Sequence, residues 1–117
     1  KETASACVHL HRNLVIHRDL APRNMLLDAA LSVKLCDFGL SRVMSESATE
    51  QVTGTRFGPL SHMAPESALF SVYSRKSDVF MLGICAWEVL TGLRAFAEQP
   101  DATRAAIAIL RGHRPPL

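Results

Sequence analysis

His17-Arg18-Asp19-Leu20-Ala21-Pro22-Arg23-Asn24, followed thirteen residues after Asn24 by Asp37-Phe38-Gly39, is the stretch whose reading decides the fold. A loop holding an Asp and an Asn five residues apart can aim the Asp at a hydroxyl proton and the Asn at a metal ion. A second Asp on a turn after a strand can bridge metal ions, and Gly39 supplies backbone freedom beside it. Phosphoryl transfer makes this demand: a group to orient and accept a hydroxyl proton, and hard cations to neutralise phosphate charge.

Outward from this stretch, residues 1–13 have Ala4, Ala6, Cys7, Leu10 and Leu14 spaced for one buried helix side. Leu14 to Ile16 reads as extended. Met25 to Leu27 and Ser32 to Cys36 are strand candidates around an Asp28-Ala29-Ala30 turn. Residues 41–58 are polar and read as a long irregular loop. Ala64 to Phe70 is a short helix starting after Pro65. Ser77 to Thr91 is the clearest helix, with Ser77 as N-cap and Gly92 as stop. It is apolar on all sides, which predicts a buried helix. Residues 101–111 form another, ended by Gly112 and Pro115-Pro116.

The pattern resembles eukaryotic protein kinases, in the tyrosine kinase or tyrosine-kinase-like group. Ala64-Pro65-Glu66 looks like the motif closing that family's activation segment. Ser77-Asp78-Val79-Phe80 with Gly83 looks like the start of its central helix, and Gly112-His113-Arg114-Pro115 like the end of the helix after it. The resemblance covers essentially all 117 residues. It implies an α+β fold: the mainly helical C-terminal lobe of a kinase with a small β-hairpin. Its catalytic loop would be 17–24, its metal-binding loop 37–39 and its activation segment 37–66.

By the same resemblance, Asp19 would be the catalytic base. Asn24 and Asp37 would hold the magnesium ions of Mg-ATP, and Arg23 would lie beside the transferred phosphate. Leu26 would form the floor under the adenine, supported by Cys85 and Val89. His17 and Phe38 would stack in an internal column anchored by Asp78. Arg18 would pair with a phosphorylated residue of the activation loop, for which Ser45, Ser47, Thr49 and Thr53 are candidates. Pro59 and Leu60 would belong to the substrate platform, and Glu66 would pair with a later arginine.

Ala21 and Arg23, together with Pro59, are similar to receptor-type tyrosine kinases. His62 stands where that group has Trp, and the segment from Asp37 to Glu66 contains no tyrosine. Serine/threonine specificity therefore stays open, as does a non-catalytic, pseudokinase-like interaction module. The implied partners are ATP and a protein substrate. The implied location is cytoplasmic, or the cytoplasmic part of a membrane receptor.

Composition narrows the alternatives. A 48% apolar content excludes disorder, and a net charge of +2 without a basic patch gives no sign of nucleic acid. Cys7, Cys36 and Cys85, odd in number and far apart, read as reduced thiols. The apolar run Val79 to Trp87 is too short to cross a bilayer, so no membrane contact is expected from this segment. Cys7, His9 and His11 form C-x-H-x-H, but no remaining zinc ligands are evident, so a helix surface is expected.

The chain starts at Lys1, inside a predicted helix. No Gly-rich loop or strand-borne lysine precedes His17. Both features suggest a fragment with little activity alone. A Glu66 buried without its partner would then be destabilising, and a partly bared central helix would make the chain poorly soluble.

Overall fold

The computed structural model describes residues 1–54 and 60–116. Pro59, with its expected platform role, lies outside them, as do Thr55 and Gly58.

The N-terminal helix α1 spans Glu2–Arg12, and Asn13 closes it by donating its backbone N–H to His9 O and Leu10 O. Cys7 alone on α1 is fully buried; Ala6 and Leu10 are half-buried and Ala4 is exposed. The chain then turns at Leu14, in the left-handed region at φ 60°, into β1 (Val15–Ile16). A single 3₁₀ turn at Pro22–Asn24 closes the 17–24 loop, with Pro22 supplying the pre-set φ of a helical start.

Strands β2 (Met25–Leu27) and β3 (Val33–Leu35) pair antiparallel, Met25 opposite Leu35. Asp28 Oδ1 makes their turn by accepting the N–H groups of Ala30 and Ser32, each at 2.9 Å. These backbone bonds hold the Asp28 carboxyl below its ordinary range.

The predicted irregular loop is partly regular. β4 (Arg42–Val43) pairs with β1, and β5 (Glu50–Val52) pairs with β6 (Val72–Ser74). The partners are remote in sequence and the strands are two or three residues long, so no local periodicity marks them. Among the described residues the sheets are thus three antiparallel pairs. Between β5 and β6 lies α2 (Pro65–Phe70), with Pro65 at its first position.

The central helix α3 spans Arg75–Thr91, starting two residues before the predicted cap. The physical reason is a capping box. Ser74 Oγ accepts the N–H groups of Lys76 (3.1 Å) and Ser77 (3.3 Å), while Ser77 Oγ accepts the Ser74 N–H at 2.9 Å. Ser77 is the return arm of the cap, not the cap. Gly92, at φ 69°, ends the helix in the conformation glycine adopts without strain. Helix α4 spans Ala102–Leu110, capped by Asp101 Oδ1 on the Arg104 N–H.

Two of the three small cores meet on α3. Met81 packs with Cys7 and Leu20, and Ile84 packs with Ala95, Phe96, Ala105 and Ile109. A third core joins Ile16, Met44 and Tyr73 under the β1–β4 and β5–β6 pairs. The expectation of a helix buried all round is corrected on the remaining side, where Val79, Val89 and Leu90 are exposed. Thr3, Ala4 and Met25 share with these three residues the lining of an open cavity. Among those residues no helix is long and apolar enough to cross a membrane.

Candidate active site

The site begins with a buried carboxylate on α3. Asp78 Oδ2 accepts the His17 N–H and Oδ1 accepts the Arg18 N–H, each at 2.9 Å. Arg18 stands at φ 69°, a conformation costing roughly 1–2 kcal/mol for a side chain with a Cβ. Its bond to Asp78 helps to hold it there. His11 Nε2 lies 2.9 Å from Asp78 Oδ2, with its side chain 14% exposed. The surface reading of His11 is therefore wrong: it braces Asp78, the anchor of the 17–24 loop. Nothing in its C-x-H-x-H setting marks this, because the partner lies 67 positions away.

His17 joins the two decisive loops. Its Nδ1 accepts the Asp19 N–H at 3.3 Å, and its Nε2 is 3.1 Å from Cys36 O. The tautomer with the proton on Nε2 satisfies both bonds. Its ring meets that of Phe38 with centroids 5.1 Å apart, tilted by 60°. Such an edge-biased pairing suits aromatic quadrupoles.

Asp19 is buried and both of its oxygens are engaged. Arg23 Nη2 donates to Oδ1 at 2.5 Å, and Asn24 Nδ2 donates to Oδ2 at 2.9 Å and to Asp19 O at 2.7 Å. The Arg23 bond is charge-assisted. The 3₁₀ turn produces this grouping, bringing Arg23 and Asn24 back over Asp19. With both amide hydrogens of Asn24 committed to Asp19, its Oδ1 is the atom left to accept or to ligate.

Asp37 arrives from the other loop. The Cys36 N–H donates to Asn24 O at 2.9 Å, extending the β2–β3 pairing and putting Asp37 one residue past that contact. Asp37 is exposed and takes φ 60°. Its Oδ1 accepts the Gly39 N–H at 3.3 Å, and a Cβ on residue 39 would lie 3.3 Å from the same oxygen. Glycine there keeps the carboxylate accessible. A donor set of one amide oxygen and one carboxylate suits magnesium, which retains waters and takes phosphate oxygens as its other ligands. Among the described residues no three His, Cys, Asp or Glu side chains gather as a protein-only metal cage.

The other sequence-predicted residues are dispersed around this centre. Leu26 is on the exposed side of β2; its neighbour Met25 lines a cavity of about 470 Å³ with Cys85 and Val89. The Cys85 thiol donates to Leu20 O at 3.2 Å. Arg18 is fully buried, with Nη1 3.4 Å from Gln51 Oε1 and its guanidinium 4.7 Å from the Tyr73 ring centroid. Burial presses its pKa below the ordinary arginine value, and the nearby charge of Arg42 adds to that. Ser45, Ser47 and Thr49 are exposed between β4 and β5, and Thr53 follows β5 half-buried. Leu60 is half-buried before α2, and Glu66 is half-buried rather than enclosed in a core.

Sequence reading also missed a second network. His62 Nε2 is 2.9 Å from Glu88 Oε2, its Nδ1 is 3.1 Å from Ser61 Oγ, and Glu88 Oε1 accepts the Ala95 N–H at 2.8 Å. The chain just before α2 is thereby tied to the C-terminal half of α3. The unusual His at position 62 was the available signal.

Residues 1–116 match the family model of protein tyrosine and serine/threonine kinases. The chain belongs to the protein kinase family. By family this is a phosphotransferase domain with the mixed α+β kinase-like fold. Human platelet-derived growth factor receptor beta is 43% identical over 100 residues, 85% of this chain and 9% of that protein. The serine/threonine-protein kinase PrkC of Bacillus subtilis is 34% identical over 98% of the chain and 17% of its own length. The inactive tyrosine-protein kinase kin-32 of Caenorhabditis elegans is 35% identical over 98% of the chain and 13% of its own length. The chain thus spans under a fifth of each of these kinase relatives.

Proposed function

We propose that the protein containing this chain transfers the γ-phosphoryl group of ATP to a protein hydroxyl, that of tyrosine, on the cytoplasmic side of the cell. The observation that carries this reading is the buried Asp19 carboxylate, gripped by Arg23 and Asn24, with the Asn24 backbone bonded to the residue before Asp37. Asp19 orients the acceptor hydroxyl and takes its proton. Arg23, half-exposed beside it, faces the incoming phosphate. Asn24 Oδ1 and Asp37 would hold magnesium, which when bound neutralises charge on the phosphates. Leu26 offers an apolar surface to the adenine, and Leu60, with Pro59, guides the substrate.

Regulation follows from Arg18. A phosphate on Ser45, Ser47, Thr49 or Thr53 would add roughly −1.5 to −2 charge close to the strand whose Gln51 already meets Arg18. Alanine at all four positions should lower the activity of the full-length enzyme; unchanged activity would remove this regulatory role.

The deciding experiment is radiolabel transfer to matched tyrosine and serine peptides by the full-length protein, with and without Asp19→Asn. Labelling of the tyrosine peptide, lost in the variant, supports the reading. Labelling of serine alone moves the chain to the serine/threonine reading. No Asp19-dependent labelling of either leaves a non-catalytic module. The 117-residue chain by itself is expected to show little or no transfer.

A further inference from the structure

We propose that Ser61 is an activated nucleophile that accepts the acyl group of a small neutral ester, with His62 as its base and Glu88 as the residue that positions that base. This centre is separate from the phosphoryl-transfer reading and rests on its own geometry.

The three side chains form one line of hydrogen bonds. Glu88 Oε1 accepts the Ala95 N–H at 2.8 Å, which leaves Oε2 for His62 Nε2, 2.9 Å away. An ionised carboxylate only accepts, so Nε2 carries the proton of the neutral imidazole and Nδ1 is an acceptor. Ser61 Oγ lies 3.1 Å from that Nδ1 and is therefore the donor. A hydroxyl donating to an imidazole whose far side is held by a carboxylate is the Ser–His–acid arrangement of acyl-transfer sites, recognised by geometry and roles. Here the two ring nitrogens exchange places relative to the serine-protease case. The side chains of His62 and Glu88 are each 12% exposed, so water competes little for the relay.

All three residues line one cavity of about 320 Å³, through which an electrophile can reach Ser61. Its lining selects the class. Two anions, Glu88 and Asp101, stand against one cation, Arg94, so a neutral ester is favoured over an anionic one. Phe96, Ala97 and Ala102 give a small apolar wall that suits a short acyl chain. Arg94 is exposed and offers donors to the oxygen that becomes negative when the carbonyl is attacked. In the step, Ser61 Oγ bonds to the carbonyl carbon while its proton passes to His62 Nδ1, and Glu88 stabilises the imidazolium. The bond from that carbon to the alcohol oxygen then breaks, and the His62 proton leaves with the alcohol. The products are an acylated Ser61 and one free alcohol.

The test is incubation of the full-length protein with p-nitrophenyl acetate, with peptide mass spectrometry locating the acetyl groups over time. Ser61 should be acetylated about a hundred-fold faster than the exposed Ser45 and Ser47 of the same molecules. His62→Gln should bring Ser61 down to the rate of those two serines. Glu88→Ala should slow it by about ten-fold or more and Glu88→Asp should restore part of the rate, with circular dichroism confirming that each variant stays folded. Acetylation of Ser61 no faster than that of Ser45 and Ser47, or a rate unchanged in His62→Gln, overturns the proposal. The assay contains no ATP, so its outcome is independent of the peptide labelling that judges the kinase reading.

Discussion

Replacing Asp78 by Asn changes one atom of a buried side chain and should cost far more than a surface substitution. In the native protein its two oxygens receive two buried backbone N–H groups and lie against His11. An asparagine keeps one oxygen. The better orientation leaves it facing His17 and His11 and turns the amide NH₂ toward the Arg18 N–H, donor against donor. One buried N–H then lacks an acceptor, about 1–3 kcal/mol. The remaining contacts pass from a charged to a neutral acceptor, about 1 kcal/mol each. The sum is roughly 3–5 kcal/mol, with no discount for screening because Asp78 is 1% exposed. Against a usual stability of about 5–15 kcal/mol this is a large fraction. Urea unfolding would measure it, and hydrogen exchange would show the Arg18 amide losing protection. A stability within about 0.5 kcal/mol of wild type, with that amide still protected, would refute the reasoning.

Ser74→Ala removes the acceptor of the α3 capping box and should destabilise by about 1–2 kcal/mol in the same urea assay, whereas Ser71→Ala, outside the box, serves as the comparison. Burial pushes the Cys7 thiol up to about 11 and the Cys85 thiol up to about 12, with Asp78 and Glu88 respectively adding to the effect. Iodoacetamide at pH 8 should therefore modify the half-exposed Cys36 first, as read by peptide mass spectrometry. The same two thiols predict a pH dependence. Their neutral forms are favoured by folding, so their contribution to stability is complete below the ordinary thiol value of 9.0 and is lost as pH rises toward about 11 and 12. Melting temperatures across pH 8–10.5 should fall less steeply in Cys7→Ser than in wild type.

The parts of this protein legible in its sequence are those whose cause is local. The β2–β3 hairpin follows from an Asp-led turn between two short strand-prone runs, and α4 from its helical stretch ended by Gly112 and the prolines. The grouping of Asp19, Arg23 and Asn24 is local too, since one 3₁₀ turn makes it. Illegible were the contacts closed by tertiary packing. His11 reaches Asp78 only because α1 packs on α3, and His62 reaches Glu88 across 26 positions. The start of α3 was displaced for a subtler reason: Ser74 and Ser77 are equally good caps in isolation, and only their reciprocal bonding decides between them.

Asp78 and Glu88 stand ten positions apart on one uninterrupted helix, about 15 Å along its axis. The first grips the loop bearing Asp19; the second grips the chain just before α2. The helix therefore works as a gauge bar that sets the spacing between the Asp19 loop and the segment before α2 in whole helical steps. Lengthening it by one residue between those two carboxylates would swing one grip by about 100° relative to the other, so its residue count between them fixes how the two segments face each other.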